Sequence, residues 1–129
     1  DIRTAGHFIF GLPGESRETM AATLDFALSL PLDIAQFYAA APFPGTAFHR
    51  AALEKGWLKP GEKGRAVSQG SAAAALPGLP AEEVDAFRRH AFRRFYMRPR
   101  AAARLLSMAE PSAAAFVAPA MRRFLNWSR

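Results

Sequence analysis

The chain has 129 residues, half of them hydrophobic and 22% charged, which is ordinary for a globular protein large enough for one small core. No apolar run approaches the roughly 20 residues that span a bilayer, and no signal peptide is visible, so we expect a cytoplasmic location. The absence of cysteine excludes disulfides and thiolate metal ligands within these residues.

The positive charge is concentrated in the second half of the chain. Residues 1–60 carry a net charge of −1, whereas residues 61–129 hold 12 basic and 5 acidic residues, mostly arginine among the basic ones. A basic half is typical of proteins that bind nucleic acid or an anionic surface, and equally of solvated helix faces. We expect the arginines of residues 88–100 to be solvated or to pair with a part of the protein outside this chain, rather than to form a nucleic-acid patch.

The first element is a short strand that runs into a glycine-rich turn. Residues His7 to Phe10 form an apolar run that suits a strand covered on both faces. Gly11 and Gly14 permit backbone angles closed to other residues, and Ser16 is a good N-cap for the next helix. A ligand above this turn would meet free backbone N–H groups. The turn matches neither the phosphate-loop nor the dinucleotide fingerprint, and most strand–helix turns bind nothing.

A helix and a second strand follow. The helical spacing of apolar residues in 17–30 predicts an amphipathic helix that ends before Pro31. Phe26 lies outside the apolar stripe of this helix. Residues 34–41 are nearly all apolar and predict a second buried strand, parallel to the first because a helix connects them. The buried stripe of the helix consists of Met20, Leu24, Ala27 and Leu28.

Two turns are expected at the same end of this sheet. The segment Pro42–Thr46 forms a rigid turn, and Thr46 caps a short helix from Ala47 to Lys55. Ligands of parallel α/β folds bind over the carboxyl ends of strands. The turns Gly11–Glu15 and Pro42–Thr46 should therefore line one rim.

The second half is predicted to be a connector followed by helices. Residues 57–79 have weak periodicity and indicate a loop, and a helix starts at Pro80 and ends at Arg98-Pro99. Segments 100–108 and 112–127 are also helical, with Pro111 starting the last one and Pro119 kinking it. We divide the chain into residues 1–58, a linker 59–79 and a helical extension 80–129. The buried stripe of the first extension helix is Val84, Phe87, Ala91 and Phe95, with Arg88 close to it and Tyr96 also in the core.

Two parallel strands are too few for a stable sheet, so the pattern indicates a piece of a larger barrel. Its motifs support this. The run G-x-x-I-x-G-L-P-G-E followed by S/T-x-E-T resembles the fifth-strand motif of radical S-adenosylmethionine (SAM) enzymes, especially the subgroup that also binds cobalamin. The Gln36–Thr46 segment resembles the sixth strand and its P-Y-P-G-T turn. Further matches in order are residues 52–58, 79–84 and 92–99.

The resemblance implies a partial TIM-like barrel in which a 4Fe-4S cluster reduces SAM for radical hydrogen abstraction or, with cobalamin, methyl transfer. In that family Ile9 and Gly11 would lie beside the adenine, and Glu15 would stabilise the turn through hydrogen bonds. The strand end from Tyr38 to Ala41 would offer backbone contacts to the base. The cofactor-binding residues so implied are Ile9, Gly11, Pro13, Glu15, Tyr38, Ala40 and Pro42.

The chain departs from the family because the C-x-x-x-C-x-x-C motif, the first four strands and the cobalamin domain are missing. Iron–sulfur clusters need thiolates, so the chain alone should be inactive, and we assign it no catalytic or metal-binding residue. We expect it to be the C-terminal part of a longer enzyme, rather than a degenerate remnant. Its partners would be the missing N-terminal part and a small-molecule substrate. The alternative is a non-catalytic basic helical module that binds nucleic acid or a partner protein.

Overall fold

The computed structural model describes residues 2–58 and 69–108. They form a mixed α/β unit with two parallel strands and four helices, and the predicted helix 112–127, with Pro111 and Pro119, lies outside the described residues. No helix in the described part is long and apolar enough to cross a membrane. The elements in chain order are β1 (Ala5–Phe10), α1 (Arg17–Ser29), β2 (Ile34–Ala39), α2 (Ala47–Glu54), α3 (Ala81–Tyr96) and α4 (Pro99–Met108).

The two strands pair in parallel, as the strand–helix–strand pattern predicts. Ala5 lies opposite Ile34 and Phe10 lies opposite Ala39. The second strand is two residues shorter than expected, because the Phe43 N–H donates to the Ala41 carbonyl at 2.9 Å and turns the chain. Because Phe10 and Ala39 are the last residues of their strands and lie opposite each other, both strands end at the same level.

One face of the sheet carries the hydrophobic core. The predicted stripes of α1 and α3 are buried against it, including Met20, Leu24, Val84 and Phe95. An aromatic cluster joins strands to helix, with ring centroids of Phe10 and Phe37 5.9 Å apart. The ring centroids of Phe10 and Phe87 lie 5.1 Å apart, and those of Phe37 and Phe95 lie 6.2 Å apart. Burial of such rings is the main favourable term in a small core.

The opposite face is bare, so the expectation of strands covered on both faces is wrong for the described part of the chain. His7 and Gln36 are exposed, and Ile9 keeps 39% of its surface accessible. Successive side chains of a strand point to opposite faces, so these positions share one face while Phe8, Phe10 and Phe37 share the other. An apolar run in the sequence does not by itself show whether other elements of the chain pack on both faces of the strand.

The two edges of the sheet differ as well. The Tyr96 hydroxyl donates to the Ala35 carbonyl at 2.8 Å and accepts from the Ala35 N–H at 3.1 Å. The Ala39 N–H donates to the Gln69 carbonyl at 2.9 Å. Tyr96, expected only as a core residue, thus satisfies the backbone of Ala35 at the outer edge of β2. The outer edge of β1 pairs with no strand in residues 2–58 and 69–108.

We expect Tyr96→Phe to lower the free energy of unfolding by about 1–2 kcal/mol, because both backbone groups of Ala35 lose their partner. Burial raises the pKa of Tyr96 above 10.0, with the bond to Ala35 opposing. Stability from this shift is complete below pH 10 and is lost as the pH rises through the folded-state pKa.

Absorbance titration near 295 nm measures that ionisation, because Tyr38 and Tyr96 are the only two tyrosines in the chain. The step that disappears in the variant belongs to Tyr96 and should lie above pH 10.0. A Tyr96 step at or below the ordinary tyrosine pKa would contradict the placement of this hydroxyl.

The connector contributes to the core where it is described. Ala72, Leu76 and Leu79 belong to the buried cluster, and isolated bridges join Leu58 to Ala74 and Leu76 to Leu79. The described residues of this segment are non-helical, as expected. Residues 59–68 lie outside the described part, and the division into three units stays a prediction.

Candidate functional site

The candidate site is the rim where β1 and β2 end. The Ala40 N–H donates to the Phe10 carbonyl at 2.7 Å, which locks the two strand ends together. The chain leaves β1 through the Gly11–Glu15 turn and β2 through the Pro42–Thr46 turn. Because the strands are parallel and in register, both turns emerge at one end of the sheet, and the predicted shared rim is confirmed.

The first turn is organised by the Glu15 carboxylate. It accepts the N–H of Gly11 and that of Leu12, the latter at 3.2 Å, while the Glu15 N–H donates to the Leu12 carbonyl at 3.0 Å. Gly11 and Gly14 both have φ of 87°, which glycine adopts without steric cost. The prediction of free N–H groups is therefore wrong at Gly11 and Leu12, since the Glu15 side chain accepts a hydrogen bond from both.

The helix that follows is capped as the sequence predicts. The Ser16 hydroxyl accepts from the Thr19 N–H at 3.3 Å, and the Thr19 hydroxyl accepts from the Ser16 N–H at 2.9 Å. This reciprocal pair satisfies two backbone donors at the helix start. Arg17 forms a two-pronged ion pair with Glu83 at the start of α3, with Nη2 to Oε2 at 2.6 Å. The pair ties the first turn to the helical extension.

The second turn is held by its own cap. The Thr46 hydroxyl accepts from the His49 N–H at 3.1 Å and donates to the Phe43 carbonyl at 2.7 Å. Gly45 also has φ of 87°, and a Cβ placed there, or at Gly14, would meet no atom within 4 Å. Open space therefore lies beside both turns. The side chains of Leu12 and Phe43 are exposed and give the two turns an apolar surface.

The sequence-derived site residues divide into exposed and covered ones. Ile9 is partly exposed on the bare face, Tyr38 is half-buried there, and Pro13 is exposed at the first turn. Ala40 and Pro42 are buried, so neither side chain is open to a ligand. The structure brings Gly11 and Glu15 into direct contact at the first turn, whereas Ala40 directly follows β2 and Pro42 begins the second turn.

Sequence reasoning missed a polar group on the bare face. The rings of His7 and Tyr38 are parallel within 1°, with centroids 5.9 Å apart, and the Tyr38 hydroxyl donates to the Gln36 side-chain carbonyl. The period-two alternation along the strands could have placed these residues on one face. In the described part of the chain, no three His, Cys, Asp or Glu side chains are grouped to hold a metal ion.

Several arginines of the basic half serve the fold itself. Arg98 donates to the Leu28 carbonyl at 2.6 Å and to the Phe95 carbonyl at 3.1 Å. Arg104 is paired with Asp33. Burial lowers the pKa of Arg98, and its positive neighbours Arg94 and Arg100 add to this. Part of the arginine content is thus explained by packing between α1, α3 and α4.

The rim and the two-stranded sheet define an α/β unit with a candidate ligand site at the carboxyl ends of its strands. The chain is similar to a protein of Pyrococcus horikoshii that is named as an uncharacterized methyltransferase, with 33% identity over 99 residues. The match covers 77% of this chain but 21% of that protein, so the matched stretch is about a fifth of the length of this curated relative. No family model matches the chain. No solved structure matches it significantly.

Proposed function

We propose that the chain is the C-terminal part of a radical SAM enzyme and contributes the adenine side of the SAM site, for radical hydrogen abstraction or methyl transfer. The observation that carries the proposal is the emergence of both glycine–proline turns at one end of a parallel sheet, beside a bare face. The methyltransferase name of the Pyrococcus horikoshii relative supports a reaction in which SAM is consumed.

The residues present fit the nucleoside part of SAM. Adenine is flat and uncharged, and Ile9, Leu12 and Phe43 offer accessible apolar surface at the rim. The open space beside Gly14 and Gly45 leaves room for it. Glu15 has a supporting role, because its carboxylate fixes the first turn through two N–H groups and so shapes the wall against which the base packs.

The residues present do not fit an iron–sulfur cluster, because such clusters are held by thiolates and the chain has no cysteine. The ligands of a 4Fe-4S cluster would therefore come from the N-terminal part of the enzyme. The contribution of this chain is binding and orientation of SAM. We assign no residue of this chain to cobalamin.

The open edge of β1 is where we place the N-terminal part. The Thr4 carbonyl accepts from the Ile34 N–H and the Phe10 carbonyl from the Ala40 N–H. The alternate residues Ala5, His7 and Ile9 therefore direct their N–H and C=O groups to the other edge. An added strand would satisfy these groups and continue the sheet toward a barrel. The bare face, with its His7–Tyr38–Gln36 group, would then line the interior and face a small-molecule substrate.

The test uses the complete enzyme that contains these residues. We expect Glu15→Ala to weaken SAM binding about tenfold or more, because loss of two charge-assisted hydrogen bonds releases the first turn. Glu18→Ala is the matched control, since this glutamate is exposed in the first turn of α1, and its affinity should stay within about twofold. Isothermal titration measures both, and thermal unfolding verifies that each variant is folded.

Equal SAM affinities for the two variants would contradict the assignment of the first turn. The radical SAM assignment itself has a separate test, which is the coding sequence upstream of Asp1. It should contain C-x-x-x-C-x-x-C in the same reading frame, and a native start codon at this position would refute it.

A further inference from the structure

The side of α1 that faces away from α3 carries an exposed aromatic ring. Arg17 marks the side toward α3, because it is paired with Glu83 at the start of that helix. Phe26 follows Arg17 by about two and a half helical turns, which places it on the opposite side of α1. It keeps 59% of its surface accessible, although Leu24 and Ala27 nearby in the chain are buried.

The apolar surface on this side extends from α1 to the edge strand of the sheet. The chain runs from the end of α1 into the start of β2, so the last turns of α1 lie at the amino end of the sheet. At that end Phe8 and Leu32 come so close to Gly6 that a Cβ there would clash with both, and each stays half-buried. We call the side chains of Phe8, Phe26 and Leu32 the α1 flank.

The hand of the chain connections limits what can cover the α1 flank. Parallel strands are joined by crossovers, usually through a helix, and these crossovers are right-handed. The crossover from β1 to β2 places α1 on the sheet face that carries the core. A parallel strand that precedes β1 in the chain and adds to its open edge must cross over in the same sense. The helix of that crossover therefore falls on the same face, beside α1.

We propose that the α1 flank is the docking surface for an amphipathic helix that directly precedes β1 in the longer enzyme and packs an apolar side chain on the Phe26 ring. This inference rests on the proposed function, because the helix belongs to the N-terminal part of the same polypeptide. The match to the Pyrococcus horikoshii relative covers 21% of that protein, so most of its length lies outside the matched stretch. The flank is continuous with the open edge of β1, where we place that N-terminal part.

The test uses the complete enzyme with the photoreactive analogue benzoylphenylalanine in place of Phe26. On irradiation the analogue attaches covalently to whatever group contacts it, and mass spectrometry of the digested protein identifies the attached peptide. We expect attachment within the same polypeptide, to roughly the 15 residues upstream of Asp1, because connections between a helix and the next strand are short. The control carries the analogue in place of the exposed Asp25. Since adjacent residues of a helix point in different directions, it should give at least about fivefold less of this product.

Attachment to a second copy of the enzyme, seen as a doubled mass on a denaturing gel, would overturn the proposal. Attachment to residues 109–129, or equal yields at the two positions, would overturn it as well. If the analogue prevents folding, Phe26→Ala in the complete enzyme decides. It should lower the midpoint of thermal unfolding by about 3 °C or more, because a covered ring is lost.

Asp25→Ala is the control for that measurement, and a shift at Phe26 no larger than the shift at Asp25 would mean that the flank is uncovered. The SAM affinities of Glu15→Ala and Glu18→Ala test the proposed function separately. A tenfold loss of SAM affinity in Glu15→Ala together with an uncovered Phe26 would therefore reject the docking surface alone.

Discussion

Asp33→Ala should lower the free energy of unfolding by about 3 kcal/mol, because a buried carboxylate with several partners is removed. Asp33 is 4% exposed and accepts from the Thr4 N–H at 2.8 Å and from the Thr4 hydroxyl at 3.3 Å. It is also the ion-pair partner of Arg104 in α4. The variant leaves the Thr4 N–H without its acceptor and detaches α4 from the sheet.

Denaturant unfolding followed by circular dichroism measures this effect. Asp25→Ala is the matched control, because Asp25 lies on the exposed face of α1, and its free energy of unfolding should change by no more than about 0.5 kcal/mol. Similar losses in the two variants would mean that Asp33 is not the anchor between β1, β2 and α4.

Gly11→Ala should destabilise the chain by about 2–4 kcal/mol, through two separate effects. Its φ of 87° is costly for any residue with a Cβ. A Cβ at this position would also lie 3.0 Å from Cγ1 of Val84, a residue of α3 that is 1% exposed. Backbone strain and overpacking therefore add at the start of the first turn.

Two comparison variants separate these effects. Gly14→Ala has the same φ but meets no atom within 4 Å, so it should cost only about 1–2 kcal/mol. Shortening the neighbour in Gly11→Ala/Val84→Ala should recover part of the loss, which appears as a coupling energy in a double-mutant cycle. Equal costs at Gly11 and Gly14, without coupling to Val84, would exclude close packing of the turn on α3.

The local features of the fold could be predicted because their signals lie within a few residues. The caps at Ser16 and Thr46 and the buried stripes of α1 and α3 follow from neighbouring residue types. The shared rim was also predictable, since a strand–helix–strand connection makes the strands parallel and places both strand ends together.

The candidate site could be predicted only in part. The sequence located both turns, and the family resemblance implied hydrogen bonds from Glu15, but the residue pattern alone predicted free N–H groups at Gly11 and Leu12, which the Glu15 carboxylate occupies. The role of Tyr96 at the β2 edge was also invisible, because it lies 61 residues from Ala35. A side chain that can close an edge, fill a core or point to solvent has no distinguishing local pattern.

The sequence by itself determined the order of the elements, the parallel pairing and the end of the sheet at which both turns emerge. Only the tertiary structure decided which sheet face stays bare and which edge of the sheet finds hydrogen-bond partners. The physical reason is the range of the interactions. The spacing of apolar residues and helix capping depend on residues within one or two helical turns. The burial of a sheet face and the pairing of a sheet edge depend instead on where distant segments of the chain pack.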